Sequence, residues 1–423
     1  MSKLMGCSLP KELGSRPLLS RSQLLLREYQ LVIQSSPGNF ILMPFALRSM
    51  RKLANLLELE MEKLGACQIQ CPSLGPRALW EKSGRWDVLG NDLLKVTDRT
   101  GSQMCLQPTH EEMVAWILSA RKKMLGKLNL PLLVYQITEK FRDELNPRFG
   151  LLRARSFLMK DLYSFDLDNG HAETTYEKCT QAYNRIFRDK LSLDVMRVLA
   201  DSGTIGGNVS HEFHLQNNTG QDYIYHCRDC QKGYNRDIQT SIECPDCGVE
   251  METHRTIEVA HTFLLGQKYS TPFAVIPPGS SDPLFMGCYG IGVSRLLAAI
   301  CDQASSDTHL KWPAPIVPFK LAVVPPKEGS NEEKAASNFV SHVIGQLAAH
   351  RSLIGELLVD DRVSLTVGRR RKDLQKLGIP YVLVCAKSLD MLGVPKFELF
   401  HVNSDTVDTV THRELFDFVE ALE

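Results

Sequence analysis

Two arginines, a carboxylate and an aromatic ring fall within a short stretch that could bind an activated phosphate. They are Arg142 and Glu144 in the run Phe141-Arg142-Asp143-Glu144, then Arg153 and Phe157. If the run lies on a strand, Arg142 and Glu144 emerge on one face. A guanidinium can hold a carboxylate or a phosphate through two parallel hydrogen bonds. Phe157 can stack on a nucleobase while a guanidinium covers the base's other face. Singly, each residue reads better as part of a surface ion pair or as a core ring. A second candidate is the run Gly287-Cys288-Tyr289-Gly290-Ile291-Gly292-Val293-Ser294-Arg295. Its glycines allow a ligand to approach the backbone, and Arg295, in the first turn of a following helix, suits a polyphosphate. The glycine spacing is not that of a dinucleotide fold, a Walker loop or a kinase.

Four cysteines form the pairs Cys227-x2-Cys230 and Cys244-x2-Cys247. Such knuckles fit a tetrahedral zinc ion, and four thiolates leave no open position, so a zinc ion here would be structural. A metal-free remnant of a longer insertion is the other reading. The remaining cysteines are scattered among 12 in all, a usage that suits a reducing compartment.

Several elements must position these groups. Leu47, Met50, Leu53, Leu57, Met61 and Leu64 trace one helical face, closed by Gly65, before a short strand with Pro72. A strand over Leu132–Glu144 and a returning strand over Phe157–Phe165 predict an antiparallel pair with a long Arg-bearing connection. Residues 172–189 read as helix, 223–250 as a Cys-bearing insertion, and Leu284–Gly292 as a strand running into a helix over Val293–Ala304. After the proline-rich linker at Trp312–Pro318, strands alternate with helices, which predicts a separate α/β domain with a mainly parallel sheet. The chain has 423 residues, 23% of them charged and 43% hydrophobic, enough for two or three domains. No long apolar run predicts a membrane span. Net formal charge is zero, so any nucleic-acid contact must come from a local strip such as Arg369, Arg370, Arg371, Lys372 and Lys376.

Taken in order, these pieces resemble the three signature motifs of class II aminoacyl-tRNA synthetases. The helix and strand ending at Pro72 stand for the first, Phe141–Glu144 with Arg153–Phe157 for the second, and Gly290–Arg295 for the third. The closest resemblance is to prolyl-tRNA synthetases of bacterial type, the branch that includes mitochondrial enzymes of eukaryotes. PTHEE (108–112), FLMKDLYSFD, TIGGNVSHEF (204–213), IEVAHTF (257–263), MGCYGIGVSR and WPAPIVPF carry it, and it runs from about Leu24 to the end.

The resemblance implies an α+β fold: an antiparallel catalytic core over 24–312, with a short insertion at about 223–255, and an anticodon-binding domain over 313–423. It implies that L-proline is activated with ATP and Mg²⁺, then transferred to tRNA(Pro) in the mitochondrial matrix. Arg142 would bridge the substrate carboxylate and the α-phosphate, and Arg295 would hold the γ-phosphate; these two would be the catalytic residues. Glu144 would contact the adenosine, with Phe157 stacked on the adenine. Arg153, Gly290 and Gly292 would complete the ATP site, and Glu258 and His261 would lie on its metal side. Thr109 and Glu111 would receive the prolyl amino group, with Arg142, His261 and Cys288 around the ring. Asp361, Arg362, Arg370 and Lys372 would meet the anticodon, and the first motif would form a two-fold homodimer. Two rivals remain: a threonyl or glycyl enzyme, and a non-catalytic class II paralogue serving as an RNA-binding or regulatory subunit.

This sequence departs from the family pattern at Gln107, Ser156 and Ala260. The stretch between the second and third motifs is too short for the editing domain of many bacterial relatives, so no deacylation of alanyl-tRNA(Pro) is expected. Residues 1–23, basic and almost free of acids, read as a transit segment or a disordered terminus.

Overall fold

The computed structural model describes residues 20–120, 129–385 and 396–422. These residues pack into two compact units: those within 34–40 and 53–299, and those within 20–33, 41–52 and 300–422.

A nine-stranded sheet dominates the first unit. From one edge its strands are Val209–Gln216, Val195–Leu199, Gly233–Asn235, Asp222–His226, Glu252–Gly266, Phe285–Gly292, Ser156–Asp166, Leu132–Phe141 and Cys67–Gln68. All pairings are antiparallel except those of Gly233–Asn235 with Val195–Leu199 and of Cys67–Gln68 with Leu132–Phe141. The 15-residue strand Glu252–Gly266 also pairs with Val209–Gln216, so five of these strands close on themselves. Strands of the cysteine-bearing stretch are thus built into the sheet rather than hung from it. The helix Asn169–Asn184, capped by Asp168 accepting from the His171 N–H, packs on one face and continues as a wider turn over Arg185–Lys190. Tyr176, Cys179 and Tyr183 bury there. Burying each such ring removes apolar surface worth roughly 1.5–3 kcal/mol.

Alternation along Ser156–Asp166 decides which groups face which side. Lys160 donates to Tyr183 Oη at 2.5 Å on the helix side. Phe157, Met159 and Asp161 line a cavity on the other. Tyr289 likewise packs on Tyr176, while its neighbours Cys288 and Gly290 line the cavity. A three-stranded sheet, ordered Leu74–Pro76, Gln103–Leu106, Leu94–Thr97, leads into the helix Glu111–Ala120.

The expected Leu47–Leu64 helix spans Pro44–Lys63, and Gly65 at φ +78° closes it. The expected strand over Leu132–Glu144 stops at Phe141, so Arg142 and Glu144 are not strand neighbours. The ladder ends at Phe141 opposite Ser156. The Arg142 N–H still bonds the Arg155 carbonyl at 2.9 Å, and the Glu144 N–H turns back to the Arg142 carbonyl at 2.8 Å.

The other unit carries a five-stranded sheet in the order Leu357–Val359, Leu321–Val324, Tyr381–Val384, Lys396–His401, Thr406–Thr411. Four strands run one way, and only Lys396–His401 is reversed, giving two parallel and two antiparallel pairings. The helices Asn331–Ala349, Val367–Lys376 and His412–Glu420 accompany it, and Val323, Val343, Leu347, Leu383, Leu399 and Leu415 form its core. Residues 1–19 of the expected leader lie outside the described residues. Its end is ordered: Ser20 caps the helix Arg21–Glu28, and the Ser22 N–H donates to Asp302 at 2.7 Å. No helix among the described residues is long and apolar enough to cross a membrane.

Candidate active site

The cavity on the open face of the nine-stranded sheet gathers Thr109, Glu111, Arg142, Glu144, Arg153, Phe157, Glu258, His261, Cys288, Gly290, Gly292 and Arg295. Every residue expected at the ATP and proline sites therefore lines one cavity.

At one end, Thr109 Oγ1 donates to Glu111 Oε1 at 2.8 Å, and the Cys288 thiol donates to the same oxygen at 3.2 Å. Burial and the Glu111 charge push the Cys288 thiol well up, which keeps it protonated as a donor. Glu111 opens the helix Glu111–Ala120, where the unsatisfied N–H groups favour a negative charge. Its second oxygen accepts from Arg85 Nη1 at 3.1 Å, and the same nitrogen reaches Glu112 Oε1 at 3.0 Å.

A buried network fixes this loop from behind. The Tyr163 hydroxyl donates to Asp161 at 2.9 Å and receives the His110 N–H at 3.0 Å. Lys140 Nζ lies 2.8 Å from Asp161 Oδ1 and 2.9 Å from His110 Nδ1. His110 Nε2 meets the Pro72 carbonyl at 3.2 Å. Burial, then the Lys140 charge, push the His110 imidazole down to about 4. A neutral ring with its proton on Nε2 satisfies both contacts. Gln107, where the family has glycine, also donates to the Pro72 carbonyl, at 2.9 Å.

Arg142 stands at the middle of the cavity, half-buried. Its guanidinium lies 5.2 Å from the Phe157 ring centre, and no ion pair or side-chain hydrogen bond engages it among the described residues. Burial and then the neighbouring Arg295 lower its pKa, so the cation is held against its own desolvation. Glu144 is turned to Arg153, at 2.7 Å. Arg153 Nη1 also donates to Gln221 at 2.7 Å.

At the far end, Arg295 donates from Nη1 to Glu258 Oε2 at 2.9 Å and from Nε to the Leu152 carbonyl at 2.9 Å. Glu258 and His261 are three apart on a strand and would face opposite ways. A bulge prevents this: Ala260 pairs with Phe213 while Glu258 pairs with His214, so Val259 is extra and the parity flips. His261 Nδ1 then lies 3.4 Å from Glu258 and 3.6 Å from Glu212, and Nε2 lies 2.7 Å from Ser210. Burial alone would raise the Glu258 carboxyl; the His261 hydrogen bond and the Arg295 and histidine charges instead hold it well below the usual range. Glu212, Glu258 and His261 each offer a ligand atom within 4.8 Å of the others.

Sequence reasoning missed Arg85, Lys140, Asp161 and Glu212. The last two sit inside runs already singled out, FLMKDLYSFD and SHEF, and alternation from Phe157 would have reached Asp161. Arg85 and Lys140 gave no local signal.

The four cysteines come together with their sulfurs within 4.8 Å, Cys227 and Cys247 at 3.6 Å. That separation is too long for a disulfide and close to the edge of about 3.8 Å that zinc–sulfur bonds of about 2.3 Å give a tetrahedron.

Two of the expected anticodon contacts are corrected. Arg370 has no exposed surface, and its guanidinium donates to the Asp360 carbonyl at 3.3 Å and the Pro325 carbonyl at 2.6 Å. Arg362 is forked by Asp360 at 2.7 Å and Asp373 at 2.8 Å, both buried. These guanidiniums tie strand ends to the helix Val367–Lys376 and are spent on the fold. Asp361 and Lys372 are exposed.

Residues 94–304 match the class II tRNA synthetase core domain of the G, H, P, S and T enzymes. The probable mitochondrial proline–tRNA ligase of Rattus norvegicus is 41% identical over 408 residues, spanning 95% of this chain and 85% of that protein. The proline–tRNA ligase of Ehrlichia canis is 38% identical over 379 residues, 85% of this chain and 86% of that protein. Among solved structures, Giardia lamblia prolyl-tRNA synthetase in complex with prolyl-adenylate superposes with a TM-score of 0.74 at 16% identity, covering 96% of this chain and 80% of that one. The Cryptosporidium parvum prolyl-tRNA synthetase complexed with halofuginone and AMPPNP gives 0.73 at 14% identity, covering 97% and 77%. The chain belongs to the proline–tRNA ligases, within the class II aminoacyl-tRNA synthetases.

Proposed function

We propose that this chain activates L-proline with ATP to prolyl-adenylate and diphosphate, then transfers the prolyl group to tRNA(Pro) with release of AMP. One observation carries the reading: a half-buried guanidinium, Arg142, left without an anion among the described residues, between the Thr109–Glu111 carboxylate end and the Phe157 ring. Such a cation is costly unless a ligand supplies the anion. The proline carboxylate and the α-phosphate would meet there, and the attack on phosphorus needs only positioning and neutralisation of growing charge. Phe157 would stack on adenine, Glu144 and Arg153 would flank the adenosine, and the open backbone at Gly290 and Gly292 would admit the nucleotide. Arg295 would meet the γ-phosphate with the part of its guanidinium not held by Glu258. Cys288 and His261 would border the prolyl ring.

The carboxylates of Glu212 and Glu258 fit Mg²⁺, which would neutralise phosphate charge; an imidazole is a poorer partner for it, so His261 serves better to orient Glu258. The clustered thiols of Cys227, Cys230, Cys244 and Cys247 fit a structural zinc ion. Exposed Asp361 and Lys372 are the remaining anticodon candidates within an anticodon-binding domain over 313–423. A two-fold dimer through the first motif, and mitochondrial residence like that in the names of the rat and human relatives, complete the reading.

Proline-dependent ATP–pyrophosphate exchange tests it. Exchange driven by proline, above that with threonine, glycine or alanine, is the expected result, and its absence would sink the reading. Metal analysis should find one zinc per chain, and sedimentation a dimer.

A further inference from the structure

Arg85 is 3% exposed and is not among the residues that line the cavity described above. It begins the short helix Arg85–Val88, entered through Gly84 at φ +77°, a conformation that favours glycine. Its guanidinium lies 5.0 Å from the Trp80 ring centre and 5.6 Å from that of Tyr269. One nitrogen bridges Glu111 and Glu112, while Nε is buried without a hydrogen-bond partner. An arginine so enclosed and only partly bonded costs the fold more than an apolar side chain would.

An ionised carboxylate offers about four acceptor positions. On Glu111, Thr109 and Cys288 take two and Arg85 takes a third. One remains, and the Thr109 hydroxyl, whose proton is already given to Glu111, adds an acceptor beside it. A secondary ammonium carries two N–H donors, whereas a primary ammonium carries three. Charge is counted by the same arginine. Glu111 and Glu112 adjoin with no exposed surface, and Arg85 cancels one of the two.

We propose that Arg85 is a positioning and specificity residue: by fixing Glu111 and occupying one of its acceptor positions, it leaves one net negative charge and two acceptors, a match for a secondary rather than a primary ammonium. The inference rests on the proline-activation reading above. Burial pushes the Glu112 carboxyl up while Arg85 opposes the rise. Without Arg85 the two adjoining carboxylates would share a proton, and the pair would offer the substrate ammonium less than a full, fixed carboxylate charge.

Other titratable groups around Glu111 stay out of the way. Burial pushes the Cys288 thiol and the Tyr163 and Tyr269 phenols up and holds His110 down at about 4. Asp161 is tied to Lys140. Arg142 and Lys268 are further cations that feel the Glu111 charge.

The test is Arg85→Met, assayed by amino-acid-dependent pyrophosphate exchange from pH 6 to 9. We expect kcat/KM for proline to fall about 100-fold with KM for ATP within about twofold. The proline-to-alanine preference should narrow about tenfold, and the acid limb of the proline profile should move to higher pH. Arg85→Met with Glu112→Gln restores one net charge and should return the acid limb towards that of wild type, but not the preference. If Arg85→Met does not fold, Arg85→Lys is read in its place; it keeps the charge on a shorter side chain that holds Glu111 less firmly, so the preference narrows and the limb stays. Equal rises in both KM values, with preference and limb unchanged, would mean that Arg85 only fills space and would overturn the proposal. A wild-type chain that exchanges with another amino acid would overturn the proline reading instead, and the same variants would then report on the ammonium of that substrate.

Discussion

Two arginine-rich regions meet opposite fates in this molecule. In the synthetase core, Arg142 is held half-buried with no ion pair among the described residues, its pKa lowered by burial and by Arg295. In the smaller α/β region, Arg362 is forked by two buried aspartates and Arg370 by two backbone carbonyls. A guanidinium held by buried protein partners is structural, whatever its sequence neighbours suggest. One that the fold desolvates and leaves unpaired is waiting for a ligand's anion.

The largest effect expected from breaking that contrast is on stability. Arg362→Ala should strip the buried Asp360 carboxylate of its ion pair and leave Asp373 to Arg369, at about 3–5 kcal/mol. Urea denaturation followed by circular dichroism would measure it; a loss under about 1 kcal/mol would mean the arginine is freer than it looks.

Next comes the neutral imidazole behind the active site. His110 has its folded pKa depressed to about 4 against an ordinary 6.5. The unfolded chain therefore binds the proton first. The contribution, about 3 kcal/mol, is complete above pH 6.5 and is lost as pH falls towards 4. His211, also held at about 4 by burial and by the Arg197 and His261 charges, acts in the same direction. Stability measured from pH 7 to 4 should fall less steeply in His110→Gln than in wild type, and parallel curves would contradict this.

Arg142→Ala should remove about 2–4 kcal/mol of transition-state stabilisation, a loss of at least about 30-fold in proline-dependent exchange. Its melting temperature should stay level or rise, because an uncompensated buried cation has gone. Exchange near that of wild type would end the assignment of Arg142.

The smallest effect belongs to exposed Lys372. Lys372→Ala should leave exchange untouched, raise KM for tRNA modestly, and lower the salt slope of tRNA binding by about 1. An unchanged slope would remove Lys372 from the RNA surface.

Much of the catalytic region could be read directly. Strand alternation from Phe157 leads to Met159 and Asp161 on the same side, because a pleated strand has no other choice, although Asp161 was not picked out as a site residue. The glycine-punctuated strand ran into the helix that carries Arg295, as its pattern required. Glu258 and His261 were harder, since at three residues apart they share a face only through the Val259 bulge, which no local propensity announces. Arg85 and Lys140 were invisible because their partners, Glu111 and Asp161, lie 26 and 21 residues away. Arg362 and Arg370 misled for the same reason in reverse: their sequence neighbours resemble an RNA-binding strip, and only packing shows their charges consumed.

The sequence by itself determined the family, the order of elements, and the residue types at the two ends of the cavity, because periodicity and long ordered motifs are local properties of a chain. Tertiary structure decided which charges are free. Pairing depends on distances between segments far apart in sequence, and it separates Arg142, unpaired among the described residues, from Arg362 and Arg370, whose guanidiniums are held by buried protein partners. It also gathered four cysteines into one cluster and set Arg85 behind Glu111.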